Sequence, residues 1–249
     1  MDFKNSKILV TGATGYIGGV IAEKLSIAGA KVVITGRDEE KLNNLYVKLS
    51  GSGHEKYAAD LFKHNEIEDM INKTLKSDQY TGVVHCAALV NYSPLRTLTI
   101  DMLADAMQIN FFAFVEIIKI ISKKKYFNKM GGSIVALSSV AADLGEPCQT
   151  AYSAAKAALD ASIRTLSFEL APKNIRINSI RAGVIKDNPG KNYMVLQSIG
   201  NDNSDKYETK QLLGAGTPED VANVVSFLLS DDSRMITGRY IYADGGRFL

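Results

Sequence analysis

The sequence predicts a doubly wound α/β fold, in which helices cover both faces of a parallel sheet. Short β-branched runs alternate with longer segments of helical periodicity along all 249 residues. Several of these runs, such as residues 82–85, are apolar without alternation, which is typical of strands buried on both faces. With 46% hydrophobic and 22% charged residues, we expect one domain over residues 1–249.

The predicted elements follow one another with few interruptions. Strands are expected at 7–10, 31–35, 56–58, 82–85, 133–137, 176–180 and 239–242. Helices are expected at 17–29, 39–50, 65–77, 99–125, 152–170 and 218–230. Asp38 and Thr217 are candidate N-caps, and Pro218 suits a first helical position. Residues 186–214 are too long for a structural connection, and we expect them to form a substrate lid.

Composition argues against nucleic acid and membranes as partners. The net charge is +2 and the longest run of like charge is Lys123 to Lys125, which is more typical of a solvated helix end. No apolar stretch approaches the roughly 20 residues that span a bilayer, and the N-terminus lacks the apolar run of a signal peptide. Two separated cysteines, Cys86 and Cys148, give little reason to expect a disulfide. We expect a cytoplasmic protein without a metal site.

A glycine-rich turn joins the first strand to the first helix. Gly12 allows a tight turn, Gly15 lets the backbone approach a pyrophosphate, and Gly18 lets the helix pack closely on the strand. The helix N-terminus then offers unpaired N–H groups to the phosphates. This position makes a dinucleotide site more probable than an ordinary turn. We expect the intervening residues Thr14, Tyr16 and Ile17 to contact the same cofactor.

The end of the second strand favours NADP over NAD. An acidic residue there would hold the ribose 2′-hydroxyl of NAD, but the position is occupied by Gly36, and Arg37 follows it. A guanidinium can bind the 2′-phosphate of NADP with paired hydrogen bonds. Against this, Asp38 is adjacent, and Arg37 could simply be solvated. After the third strand, Asp60 and Leu61 are expected near the adenine, although Asp60 could equally be a turn residue.

Tyr152 and Lys156 form the candidate catalytic pair. They are spaced i, i+4 and so share one helix face, and of the eleven tyrosines only Tyr152 has this partner. A nearby ammonium should lower the pKa of the tyrosine towards a useful range for general acid–base catalysis. Upstream, Ser138 and Ser139 end the fifth strand, where open α/β sheets place their ligands. A serine there could bind a substrate oxygen or merely end the strand.

Together these motifs resemble the short-chain dehydrogenase/reductase family, in the compact branch that includes 3-oxoacyl carrier-protein reductases and many ketone and sugar-alcohol dehydrogenases. The resemblance covers nearly the whole chain, from Thr11-Gly12 to Ile236-Thr237-Gly238 and Asp244-Gly245-Gly246. It implies a three-layer Rossmann fold with a seven-stranded parallel sheet. It also implies reduction of a ketone, for example a 3-oxoacyl group, to a secondary alcohol.

The resemblance assigns roles by position. Tyr152 would donate or accept the proton, Lys156 would hold the nicotinamide ribose, and Ser139 would position the substrate oxygen. Asn110 would anchor a water relay to Lys156. Ala87, Gly183 and Ile185 would join the cofactor site, and helices 99–125 and 152–170 would build a homodimer or homotetramer.

Three departures from the compact branch concern the cofactor contacts. The glycines read G-x-x-G-x-x-G, with Tyr16 where the compact branch has its middle glycine. The fourth strand ends His85-Cys86-Ala87-Ala88, in which His85 is more probably a structural or cofactor-lining residue than a catalytic base. The usual Pro-Gly after the sixth strand is replaced by Ala182-Gly183, preceded by Arg181, and the usual threonine beyond it is Asp187.

These departures leave other interpretations open. The first two are typical of nucleotide-sugar epimerases and dehydratases, but that branch carries an added substrate region that this chain lacks. A dinucleotide-binding sensor without turnover would typically lack the Tyr152 or Lys156 equivalent. Arg181 could meet an anionic substrate or pair with a local acid such as Asp187.

Overall fold

The computed structural model describes residues 1–76, 78–186 and 211–247. Strands are β1 (Lys7–Thr11), β2 (Lys31–Gly36), β3 (Glu55–Ala58), β4 (Gly82–His85), β5 (Gly132–Ser139), β6 (Ile175–Ala182) and β7 (Tyr240–Ala243). Helices are α1 (Tyr16–Ile27), α2 (Glu39–Tyr46), α3 (His64–Lys73), α4 (Ile100–Met107), α5 (Ala113–Ile121), α6 (Thr150–Leu170) and α7 (Pro218–Leu229). This order is the alternation that the sequence predicts.

The strands form one parallel sheet in the order β3-β2-β1-β4-β5-β6-β7, which confirms the predicted doubly wound fold. The order reverses between β1 and β4, so the chain segments that follow these two strands leave towards opposite sides. In open α/β sheets, such a reversal opens a crevice at the carboxyl ends of the strands.

Alternate residues of each strand enter two separate cores. Leu9 and Val83 pack with residues of α3, α5 and α6 on one face, whereas Ile8, Val10 and Val84 pack with α1 and α7 on the other. Because side chains alternate across a strand, a run of apolar residues is needed to cover both faces. The uninterrupted apolar strands of the sequence therefore lie in the middle layer of a three-layer domain.

Several predicted boundaries are wrong in detail. The helix expected at 39–50 ends at Tyr46, and the one expected at 65–77 ends at Lys73. Strands β5 and β6 each continue two residues further than expected, to Ser139 and Ala182, because their pairing with each other extends to these positions. The continuation matters because it holds Ser139 in regular strand geometry.

The predicted helix 99–125 is interrupted and shorter. A π-helical turn, Gln108–Phe112, lies between α4 and α5, and the helix ends at Ile121. Lys123 to Lys125 lie just beyond this end and are exposed, as expected for a solvated basic run. A π turn adds a residue to the helical circuit and often lies at functional sites, and this one carries Asn110.

Both predicted caps are present. Asp38 accepts a hydrogen bond from the Lys41 N–H, and Thr217 and Asp220 form a reciprocal capping box at the start of α7. The expected lid, 186–214, lies mostly outside the described residues, which resume at Gln211. No helix in the described ranges is both long and apolar enough to cross a membrane.

Candidate active site

A cleft of about 610 Å³ opens at the carboxyl edge of the sheet, where the strand order reverses. This volume lies within the usual range for small-molecule sites. The cleft brings together most residues singled out from the sequence. Those in its wall are Gly12, Thr14, Gly15, Tyr16, Ile17, Gly18, Arg37, Leu61, Ala87, Ser139, Tyr152, Lys156, Gly183 and Ile185.

The glycine turn has the geometry that a pyrophosphate site needs. Gly12 has a φ of +63°, and a Cβ there would lie 2.6 Å from the backbone of Ala87. A Cβ on Gly18 would lie 2.4 Å from the Gly12 carbonyl oxygen, so the helix could not approach the strand. Gly15 precedes α1 without a side-chain cap, which leaves the N–H groups of the first turn available to an anion.

Ser139, Tyr152 and Lys156 line the same cleft as Arg37, which follows β2, three strands along the sheet from β5. Ser139 is the last residue of β5, and its hydroxyl oxygen accepts a hydrogen bond from Ala141 N–H at 3.1 Å. Its side chain is also near enough to the Tyr152 hydroxyl to favour the ionised form of that phenol. Tyr152 lies in the first turn of α6, and the Lys156 Nζ is 5.6 Å from the centre of its ring.

Lys156 is almost fully buried, and its Nζ donates a hydrogen bond of 2.7 Å to the Leu137 carbonyl. Burial lowers its pKa to about 8, while the charge of Asp160 acts in the opposite direction. An ammonium carries three donors, so the Leu137 bond leaves others that can reach a ligand hydroxyl.

The expected lowering of the Tyr152 pKa is wrong for this chain by itself. The pKa of Tyr152 is raised to about 12, because desolvation of the phenol outweighs the effect of the Ser139 side chain, which lowers it. The sequence shows that the Lys156 ammonium is near Tyr152. It does not show how strongly burial disfavours the charged phenolate form of Tyr152. The phenol is therefore protonated at neutral pH and able to donate a proton.

Comparison with known proteins decides the family. A family model described as enoyl-(acyl carrier protein) reductase matches residues 12–247. The chain belongs to the short-chain dehydrogenase/reductase family. It is accordingly an NAD(P)-dependent oxidoreductase with a Rossmann fold.

Relatives of this dehydrogenase/reductase match over nearly their full length. The 3-oxoacyl-[acyl-carrier-protein] reductase FabG of Rickettsia felis is 32% identical, over 100% of this chain and 99% of that protein. The glucose 1-dehydrogenase of Gluconobacter oxydans is 28% identical, over 98% and 92%. A solved dehydrogenase/reductase from Sinorhizobium meliloti 1021 superimposes with a TM-score of 0.89 at 26% identity, covering 100% and 97%. These relatives do not favour the epimerase alternative.

Two of the residues expected at the site of this dehydrogenase/reductase lie outside the cleft wall. The Asp60 carboxylate accepts a hydrogen bond from Phe62 N–H at 3.1 Å, which fits the turn role considered for it, and its adenine contact stays a prediction. Asn110 is fully buried behind the wall. Its amide donates to the carbonyls of Leu89 and Ala106, both at 2.9 Å, and so it supports Leu89, which does line the cleft.

Arg181 takes the second of the two roles considered from the sequence, because it pairs with acidic side chains. It is buried, its Nε donates to Asp160 at 2.7 Å, and its Nη1 pairs with Asp143. Asp187, its other candidate partner and the expected substitute for a threonine, lies outside the described residues. Sequence reasoning missed Asp160, although it follows Lys156 by one further helical turn.

The wall beyond β6 depends on a second residue that the sequence did not reveal. Gln211 is buried, accepts a hydrogen bond from Val184 N–H and donates one of 2.7 Å to the Gly214 carbonyl. A Cβ on Gly183 would overlap both Gln211 and Asp244, so glycine is required there. Gln211 therefore fixes the segment that places Gly183 and Ile185 in the cleft.

His85 is a structural residue in this dehydrogenase/reductase, in agreement with the sequence-based interpretation. It is fully buried, and its Nδ1 lies 2.9 Å from the Thr11 hydroxyl. Burial lowers its pKa to about 3, and the charge of Lys156 adds to this effect. A neutral imidazole with so low a pKa is a poor general base.

This burial links stability to pH. Between the unfolded pKa of 6.5 and the folded value of about 3, the unfolded chain binds a proton that the folded chain does not. Lowering the pH from 6.5 to 5 should therefore cost about 2 kcal/mol of unfolding free energy through His85 alone. Urea unfolding across this range would measure it, with His85→Gln as the control. An equal slope in both proteins would contradict this assignment.

Proposed function

We propose that the chain is an NADPH-dependent reductase that converts a ketone to a secondary alcohol, with Tyr152 as the proton donor. The observation that carries the proposal is the meeting of Ser139, Tyr152 and Lys156 in one cleft with the glycine turn and Arg37. The glycine turn and the basic end suit a phosphorylated dinucleotide, while the hydroxyl pair suits a carbonyl oxygen.

The preference for NADPH rests on charge at the end of β2. In the described part of the chain no ion pair engages Arg37, whereas its neighbour Asp38 caps α2 and pairs with Lys41 at 3.6 Å. The carboxylate adjacent to Arg37 is thus already bound elsewhere. A Cβ on Gly36 would also lie 2.7 Å from the Thr14 hydroxyl, so an acidic side chain at this position would crowd the turn.

In the proposed reaction, Ser139, Tyr152 and Lys156 each have a separate role. The bound nicotinamide supplies the hydride in reduction. Ser139 donates a hydrogen bond to the substrate oxygen, and Tyr152 gives that oxygen its hydroxyl proton. Lys156 holds the cofactor ribose and, as a cation, favours the phenolate that Tyr152 becomes. Tyr152 lies in the first turn of α6, where the helix dipole also favours a negative charge.

The lesser residues support this arrangement. We propose that Asn110 anchors a water relay to Lys156, because its Oδ1 is buried without a hydrogen-bond partner among the described residues and can accept from a water. The 3-oxoacyl group named in several relatives is the substrate class that we propose to test first, as a thioester.

Replacing Tyr152 by Phe should lower the turnover rate at least about 100-fold, because the proton donor is lost while the ring remains. Steady-state oxidation of NADPH with a 3-oxoacyl thioester would measure this. Binding of NADPH, followed by nicotinamide fluorescence, should stay close to that of the parent protein. Near-normal turnover by Tyr152→Phe would eliminate Tyr152 as the donor.

Replacing Arg37 by Asp should weaken NADPH binding about 10- to 100-fold, since a charge-assisted contact is replaced by repulsion. NADH lacks the 2′-phosphate, so its affinity should hold or improve. Lys41→Asp is a matched control, because it makes the same change of charge on α2 outside the cleft wall. If the parent protein binds NADH as tightly as NADPH, the cofactor preference is wrong.

We further propose that copies of the chain associate through α4, α5 and α6 as a homodimer or homotetramer. Phe112, between α4 and α5, and Phe168, on α6, are 45% and 82% exposed, so both rings are available to a second copy. Sedimentation velocity should show a mass of two or four chains, and Phe168→Asp should reduce it. A monomeric parent protein at micromolar concentration would refute the assembly.

A further inference from the structure

Helix α6 carries a third ionisable residue on the face that bears the proposed catalytic pair. Tyr152, Lys156 and Asp160 follow one another at intervals of four, and Asp160 is 1% exposed. Burying a carboxylate so completely is costly unless it is paired and hydrogen bonded. The proposed reaction gives Asp160 no role, so its position needs another explanation.

Asp160 joins α6 to the two strands beside the site. Its Oδ2 accepts hydrogen bonds from Ser138 Oγ at 2.9 Å and from Arg181 Nε at 2.7 Å. Its Oδ1 accepts one from Ser179 Oγ at 2.6 Å. Ser138 directly precedes Ser139, and the helix bears Tyr152 and Lys156, so this one carboxylate ties together the elements that hold all three proposed catalytic residues.

Arg181 is itself fixed on its other sides. Its Nη1 pairs with Asp143 and also donates a hydrogen bond of 2.6 Å to the Tyr242 hydroxyl. Arg181 does not form part of the cleft wall. The guanidinium carbon lies 3.6 Å from the centre of the Tyr240 ring. These contacts hold Arg181 in place as the counter-ion that makes a buried Asp160 tolerable.

The charges of this region balance only if Lys156 is included. Two cations, Lys156 and Arg181, face two carboxylates, Asp160 and Asp143. The other titratable groups facing Lys156 are His85 and Cys86 on and after β4 and Tyr152 on α6, and all three are neutral at pH 7. Among the described groups around Lys156, Asp160 therefore supplies the negative charge.

We propose that Asp160 is a positioning residue that keeps Lys156 protonated within the cleft wall and fixes α6 against the ends of β5 and β6. This inference rests on the proposed roles of Tyr152 and Lys156. Its consequence is a wider range of pH in which Lys156 is an ammonium, because burial alone opposes the charged form and the carboxylate favours it. Without that charge Lys156 loses its proton at a lower pH.

The test is the titration of Lys156 in the protein alone, followed by the NMR signals of ¹³C-labelled lysine Cε. Lys156→Met identifies the signal by its disappearance. The parent protein should titrate with a midpoint near pH 8. Asp160→Asn keeps the shape and most hydrogen bonds but removes the charge, and it should lower the midpoint by about one pH unit.

Asp143→Asn is the matched control. It also removes a carboxylate from Arg181, but Asp143 is partly exposed, and its hydrogen bonds are with Arg181 and Tyr242 rather than with α6. Its midpoint should stay within about 0.3 pH unit of the parent value, since exposed charges are screened by solvent. A shift as large as that of Asp160→Asn would show that any loss of negative charge suffices, and it would overturn the specific role of Asp160.

A double variant, Asp160→Leu with Arg181→Ala, covers the case in which Asp160→Asn leaves Arg181 unpaired and fails to fold. Replacing a buried ion pair by apolar residues is often neutral for stability. The double variant also removes the Arg181 cation, but Asp160 acts on Lys156 more strongly than Arg181 does, so the Lys156 midpoint should fall by less than in Asp160→Asn. An unchanged midpoint in Asp160→Asn, or a raised midpoint in the double variant if only that one folds, would overturn the proposal.

The proposal and the proposed function fail separately. The titration uses neither cofactor nor substrate, so a lowered midpoint supports Asp160 even if Tyr152→Phe keeps full turnover. Conversely, Tyr152→Phe could lose turnover while Asp160→Asn leaves the Lys156 midpoint unchanged. The proposed reductase function would then stand, and the proposed role of Asp160 would be wrong. Once a ketone substrate is known, the alkaline limb of its pH–rate profile should move in the same direction as the midpoint.

Discussion

The reversal of strand order between β1 and β4 is the constraint on which the rest of the structure depends. Both strands end at the same edge, but the chain leaves them in opposite directions, so a crevice must open between the two departures. The glycine turn after β1 and the serines at the end of β5 face this crevice from different parts of the sequence. Ser139, Tyr152 and Lys156 are brought there by the end of a strand and the first two turns of a helix, whereas Asn110 lies on the π-helical turn between α4 and α5.

Local sequence patterns were enough to predict most of the fold and many of the residues that line the cleft. The glycine turn and the Tyr152–Lys156 spacing could be found from sequence because each is set by neighbours within a few residues. The turn role of Asp60 was one of the two that the sequence allowed. The interruption of the helix at Gln108–Phe112 could not be found, since it depends on contacts made in the folded chain. The raised pKa of Tyr152 belongs to the same class, because desolvation is a property of packing. Asp160 was within reach, as it continues the four-residue interval of the catalytic pair.

The site also shows how a domain of this kind accommodates charge in its interior. His85 and Cys86, next to the cleft, are held neutral by burial, whereas Lys156 keeps an ammonium within the same wall. Because these two neighbours are uncharged, neither of them repels or pairs with the Lys156 ammonium. The polar groups behind the cleft are thereby divided into those that remain uncharged and those arranged as a balanced set. The cleft itself presents apolar side chains, hydroxyls and the glycine-turn backbone to a ligand, with Arg37 in the same wall.

The contact between Asp160 and Arg181 bears on how such a sequence can change. Loss of either residue alone leaves the other buried with fewer partners, Asp143 and Tyr242 for Arg181 or Ser138 and Ser179 for Asp160, so each single exchange lowers stability. Exchange of both together avoids leaving one buried charge without its main counter-ion. The pair thus behaves as a single inherited unit distributed over a helix and a strand, and a homologue with a small apolar residue at one of the two positions should carry an apolar residue at the other.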